Sequence, residues 1–285
     1  MSPETFVLAA LAAYAAGFAA AVAGLRYRSA RERPWQLILV ALGILLQTAG
    51  LGAHCHQSPT HYFTSGTEIL WLLAWAAGVN YLLVLAAWRM RALGVLILPL
   101  NAGLLAASFL FTYPGPPPVG GLDHNPLYPV HVLSAFLGYG FFLTACAASL
   151  LYLRAEWLLK HKLFTVFFQE MPSLERIERS AAHSVWAGLA LFTVALGLGG
   201  FLCWRQGIEG WYGLPKILAA EATWLIFVVL ALGRLAGRLV GRTAAKTILA
   251  GAALVGATIV LGHPFRASGE EGPARTPGAR EEARR

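Results

Sequence analysis

The sequence predicts an all-α protein, a polytopic bundle of about eight helices that cross a membrane. Three observations predict it. Of 285 residues, 57% are hydrophobic and 13% charged, a balance outside that of soluble globular domains. Eight apolar runs, at about 5–25, 35–53, 67–88, 92–112, 128–153, 180–203, 216–239 and 244–263, are long enough to span the hydrocarbon core of a bilayer. Lys and Arg also alternate between loops. Fifteen fall in 26–34, 89–91, 154–179 and 234–246, against Arg205 and Lys216 in the opposite loops, apart from the C-terminal tail. The positive-inside bias then puts those four loops in the cytoplasm and both termini on the other side. Residues 1–266 form one transmembrane unit, and the Gly-, Pro-, Glu- and Arg-rich tail 267–285 has a disordered composition.

The first run begins MSPET and is followed by Arg26, Arg28, Arg31 and Arg33, the reverse of a cleavable signal peptide. After the second run, His54, His56, His61 and Glu68 gather at the outer interface. They read either as a polar rim or as ligands for zinc. Glu68, Trp71 and Trp75 recur at helical spacing on the third run, where the tryptophans either mark the interface or wall a flat ligand. The outer loop 113–127, YPGPPPVGGLDHNPL, is a stiff polyproline piece followed by glycines. It is a lid or a plain connection.

The fifth run opens at NPLYPVH, where Pro126 and Pro129 suit the entry of a helix. On a 3.6-residue period His131, Ser134, Gly138, Phe142, Ala145, Cys146 and Ser149 share one face, smaller and more polar than the rest. His131 is either an interfacial histidine bonded to a neighbouring helix end or an axial ligand, with Gly138 admitting something flat. The cytoplasmic loop 154–179 reads as helix extensions around Pro172, with Ser173 as a cap and Glu175 and Glu178 in the following turns. His161 in that loop is expected to be solvated, and His183 to face the bundle interior from the inner leaflet.

The eighth run ends at His263, stopped by Pro264. It mirrors His131, with Gly256 seven residues inward. If the fifth and eighth helices are neighbours, the two imidazoles face each other across a gap left by Gly138 and Gly256. Two nitrogens on one iron would stand roughly 4 Å apart. Arg205, Lys216 and Arg266 are the cations available for the carboxylates of such a ligand.

Several classes are excluded. The net charge of +8 reflects membrane topology and not a nucleic-acid surface. Cys55, Cys146 and Cys203 form no CxxC pair or CxxCH site, so neither a dithiol redox motif nor covalent haem is signalled. Cys55 and Cys203 both fall near the outer surface.

The segments GTEILWLLAW (66–75), PVHVLSAFLGYGFF (129–142), FQEMPSLERIERSAAH (168–183) and PKILAAEATWLIF (215–227) together resemble the cytochrome c assembly superfamily of the CcsA, CcmC and HemX types. The resemblance is greatest to the short eight-helix HemX and YpjD branch, through QEMP, IER and His183. In haem-exporting relatives two external histidines flank a WGxxWxWDPK segment, and His131 and His263 match those positions. Aligning Pro215 and Lys216 with its PK keeps Trp211. Gly213 and Leu214 then replace the last tryptophan and the aspartate, so the platform is degraded. An inner-leaflet histidine of some relatives is replaced by the Leu232, Gly233 and Arg234 region, and His183 is a possible second site.

The resemblance implies a multi-pass protein of the bacterial inner membrane that binds haem b non-covalently and assists haem delivery or handling in cytochrome c biogenesis. His131 and His263 would ligate the iron. Gly138, Gly256, Arg266, Lys216, Arg205, Trp211, Trp71 and Glu68 would complete the site. The partners it implies are the lipid bilayer, haem, other cytochrome c maturation proteins or a tetrapyrrole-synthesis enzyme. No catalytic reaction is implied. One alternative is a HemX-like regulator or scaffold of tetrapyrrole synthesis working through loop 154–179. Another is a cytochrome b-type electron carrier, which would need histidine pairs at both depths.

Overall fold

The computed structural model describes residues 2–27, 33–57, 66–110, 125–163, 171–208 and 210–262. Helices α1 (Pro3–Tyr27), α2 (Arg33–Gln57), α3 (Gly66–Trp88), α4 (Gly94–Leu110), α5 (Tyr128–Lys160), α6 (Leu174–Arg205), α7 (Pro215–Leu235) and α8 (Gly241–Gly262) follow one another, with no strand among the described residues. Seven of them, all but α8, are long and apolar enough to span a membrane. Helices suit that setting because each satisfies its own backbone hydrogen bonds where no water is available.

Local chemistry explains the ends. Asn125 accepts a hydrogen bond from the Leu127 N–H through its side chain, and α5 begins with proline in its first turn, where the missing N–H costs nothing. It runs to Lys160, two turns past the apolar run. Ser173 caps α6 as expected, accepting from the Arg176 N–H at 3.4 Å. The i, i+4 pairs Glu156–Lys160 and Glu175–Arg179 decorate the extensions beyond the membrane.

The helices close into two rings of four. In the first, α1 packs on α2 and α4, and α3 on α2 and α4; in the second, α5 packs on α6 and α8, and α7 on α6 and α8. The rings meet where α3 lies on α5. There the Asn80 amide donates to the Leu137 carbonyl at 3.0 Å. A Cβ on Gly140 would stand 2.5 Å from that amide nitrogen and 2.8 Å from the Ala76 backbone, so the joint is a small-residue contact of the kind that holds membrane helices together. In the second ring Phe142 stacks on Phe227, centroids 3.7 Å apart and nearly parallel. Leu45, Leu83, Val194, Leu225, Val229 and Leu232 are exposed on the outside, as a lipid-facing surface requires.

Neighbouring helix ends gather on two faces of the bundle. One carries His54, Glu68, His131 and the end of α6 near Arg205. The other carries Arg91, Glu178, Arg234 and Arg242.

Candidate functional site

His131 projects from the first turn of α5 toward α6. Its Nδ1 lies 2.7 Å from the main-chain carbonyl oxygen of Ala195. A carbonyl only accepts, so neutral His131 carries its proton on Nδ1 and its lone pair on Nε2. Metal-binding histidines are oriented in this way, with the far nitrogen pinned by a carbonyl or carboxylate. Gly199, one turn beyond Ala195, makes the approach possible. A Cβ there would stand 2.8 Å from the imidazole Cε1 and 3.1 Å from Nδ1. At the next residue, Gly200, a Cβ would meet the Trp211 ring at 3.2 Å. Trp211 opens the short 3-10 turn Trp211–Gly213, entered through Gly210 at φ 71°. The ring of Tyr128 lies 6.2 Å from that of His131. The LGLGG segment of α6 thus seats both His131 and Trp211, and Arg205 stands exposed in the last turn of the same helix. Reading residue types missed Ala195, Gly199 and Gly200; two adjacent glycines in a spanning helix were the signal available.

The expected facing glycines are corrected. Gly138 does not open toward α8: a Cβ there would lie 3.2 Å from the Phe192 Cβ and 3.3 Å from the Gly188 carbonyl oxygen, so it is where α6 crosses closely. Gly256 is exposed, and a Cβ there would have nothing within 4 Å among the described residues. The adjacency of α5 and α8 does hold. Near the basic face a Cβ on Gly241 would lie 3.1 Å from the Tyr152 hydroxyl, and Gly251 packs under Phe227. His263 and Arg266 lie outside the described residues, as does the side chain of Lys216 at the start of α7.

Glu68 and Trp71 make their contacts in the first ring. Glu68 Oε1 is 2.7 Å from His54 Nε2. The His54 and Trp71 rings meet edge-on at 5.7 Å, and the buried Trp71 donates its indole N–H to the Ser108 hydroxyl at 2.8 Å. Trp75 donates to Thr48 at 2.9 Å. These contacts commit both tryptophans to the packing of α2, α3 and α4. His56 is exposed, His61 lies outside the described residues, and no group of three or more metal-ligating side chains occurs among the described residues. Cys146 is a free thiol, half-buried in α5.

At the basic face the expectation for His183 is overturned. It is exposed, with its ring against Trp88 at 4.5 Å and Nδ1 2.8 Å from the Arg179 carbonyl oxygen. One turn away, Glu178 bridges α6 to the α7–α8 turn, accepting from the Gly241 N–H at 2.8 Å and from Arg234 at 3.3 Å. The IER triplet therefore has a structural task in this chain.

A helical membrane bundle with a carbonyl-oriented histidine beside a tryptophan turn at one end defines a class, and comparison with known proteins supplies the family. The model of the cytochrome c assembly protein family matches residues 64–263, from just before α3 to the end of α8. The chain belongs to that family. It is also similar to the inner membrane protein YpjD of Escherichia coli K12, at 27% identity over 234 residues, covering 80% of this chain and 85% of that protein. The same figures hold for YpjD of the O6:H1 and O157:H7 strains.

Proposed function

We propose that this protein binds haem b non-covalently at the His131 end of its bundle and assists haem handling in cytochrome c biogenesis, in a bacterial inner membrane with that end and both termini extracytoplasmic. The single observation that carries the reading is the Nδ1 contact of His131 with the Ala195 carbonyl, which leaves the lone pair on Nε2. Haem, when bound, would supply a redox-active iron for His131 to hold and two carboxylates for neighbouring cations to offset. Ala195 and Gly199 orient the His131 imidazole, and Trp211 offers a flat apolar wall. Arg205 offers a cation at the water interface, where carboxylates would otherwise be poorly compensated. His263 is the second axial candidate, with Lys216 and Arg266 as further cations. Family membership supports the haem-handling class, and other cytochrome c maturation proteins are the partners that role calls for.

The test is the absorbance spectrum of the detergent-purified chain. A haem Soret band is expected, lost or strongly reduced in His131→Ala and in His263→Ala, and restored in either by added imidazole. Full haem content in both variants would overturn the ligand assignment.

A further inference from the structure

The first ring holds a polar group that its packing does not account for. Asn101 of α4 is fully buried, at 0% exposure, and neither its amide oxygen nor its amide nitrogen has a hydrogen-bond partner among the described residues. It lies seven residues into α4, about 10 Å from the start of that helix, and so well inside the membrane. An amide left bare in an apolar medium is strongly disfavoured, and native interiors satisfy such groups with protein or with ordered water.

The surroundings have the chemistry for water. The hydroxyl of Tyr14, also at 0% exposure, donates to Gln47 Oε1 at 2.9 Å, and Gln47 Nε2 donates to the Trp71 carbonyl oxygen at 2.7 Å. With its proton so committed, the Tyr14 oxygen still has lone pairs to offer. Tyr14 and Asn101 converge over Gly78. A Cβ on that glycine would lie 2.8 Å from the Tyr14 hydroxyl oxygen and 3.1 Å from Asn101 Nδ2, which puts the two polar atoms within about 6 Å of each other, a span one water can bridge. Asn101, Tyr14 and Gln47 are all neutral, so the site suits a molecule that both donates and accepts and not an ion.

We propose that Asn101, Tyr14 and Gln47 form an internal water site at mid-membrane depth in the α1–α4 ring, roofed by Gly78. Water there accepts from the Asn101 amide nitrogen, donates to its amide oxygen or to the Tyr14 hydroxyl, and extends the Tyr14–Gln47–Trp71 chain into the bundle. The site is independent of the haem reading. Tyr14 and Gln47 precede the family-matched segment, which begins at residue 64, and the three lie on α1, α2 and α4 of the first ring, whereas His131 lies on α5 of the second.

The test uses the full chain in lipid nanodiscs, with infrared spectra of the water O–H stretch in H2(16)O and H2(18)O. Tyr14→Phe, which removes one oxygen and keeps the ring, and Asn101→Leu are compared with the unaltered protein, and thermal unfolding is read alongside. The expected result is an isotope-sensitive band in the difference spectrum of the unaltered protein minus each variant, with unfolding of Asn101→Leu shifted down by a few degrees. Difference spectra without an isotope-sensitive band overturn the proposal. So does an Asn101→Leu protein that unfolds at a higher temperature, as removal of an unpaired amide would give. Should Asn101→Leu fail to fold, the Tyr14→Phe difference spectrum alone decides.

Discussion

Glu178 and Gly241 are 63 residues apart in sequence, yet the Glu178 carboxylate accepts the Gly241 backbone N–H at 2.8 Å, at the point where α8 begins. A carboxylate at a helix N-terminus satisfies an otherwise orphaned donor and complements the helix dipole. The same oxygen holds Arg234 at the end of α7. With side-chain exposures of 26% and 15%, this pair is more enclosed than a surface ion pair. Glu178→Ala is therefore expected to destabilise the protein by about 1–3 kcal/mol, and Glu178→Gln by less, because the amide oxygen still accepts from Gly241. Thermal unfolding in detergent separates the two. Equal stability of all three proteins would show that the bridge contributes nothing.

At Gly199 the side chain that matters is the missing one. Gly199→Ala places a methyl 2.8 Å from the His131 ring and forces the imidazole off the Ala195 carbonyl. Loss of such an orienting contact typically weakens metal binding about 10–100-fold. A haem titration is expected to show that loss with the unfolding temperature little changed, whereas haem affinity equal to that of the unaltered protein would mean that the orientation of His131 is immaterial.

The joint between the two rings is sensitive at Gly140. Gly140→Leu drives a side chain into the Ala76 backbone and the Asn80 amide, and breaks the Asn80–Leu137 bond. Overpacking of this kind costs about 1–3 kcal/mol. The predicted phenotype is a protein whose rings loosen from each other, read as faster protease cleavage in the connection between α4 and α5. Unaltered cleavage would mean that the rings are held elsewhere.

Orientation is tested by reporter fusions after residues 30, 90, 165 and 240. The fifteen-to-two charge bias predicts a cytoplasmic signal from all four. An extracytoplasmic signal from two of them would overturn the depth assignment and every site inference built on it.

Much of this fold was legible in the sequence because the bilayer makes local rules strict. An apolar run of spanning length must satisfy its backbone internally, so the existence and order of the helices followed from hydropathy alone, and Pro126, Pro129 and Ser173 marked ends by their own chemistry. Which face of each helix meets which neighbour was another matter. In lipid almost every face is apolar, so periodicity does not separate a packed face from an exposed one, and small residues and buried polar groups decide instead. That is why Gly138 proved to be a close crossing with α6, why Trp71 and Glu68 contact Ser108 and His54, and why His183 turns outward onto Trp88. The sequence by itself determined an eight-helix membrane bundle with histidines at one end. Only the tertiary structure decided that His131 leans on the Ala195 carbonyl beside Trp211, and that Asn101 is buried against Tyr14, because both depend on helices brought together from distant parts of the chain.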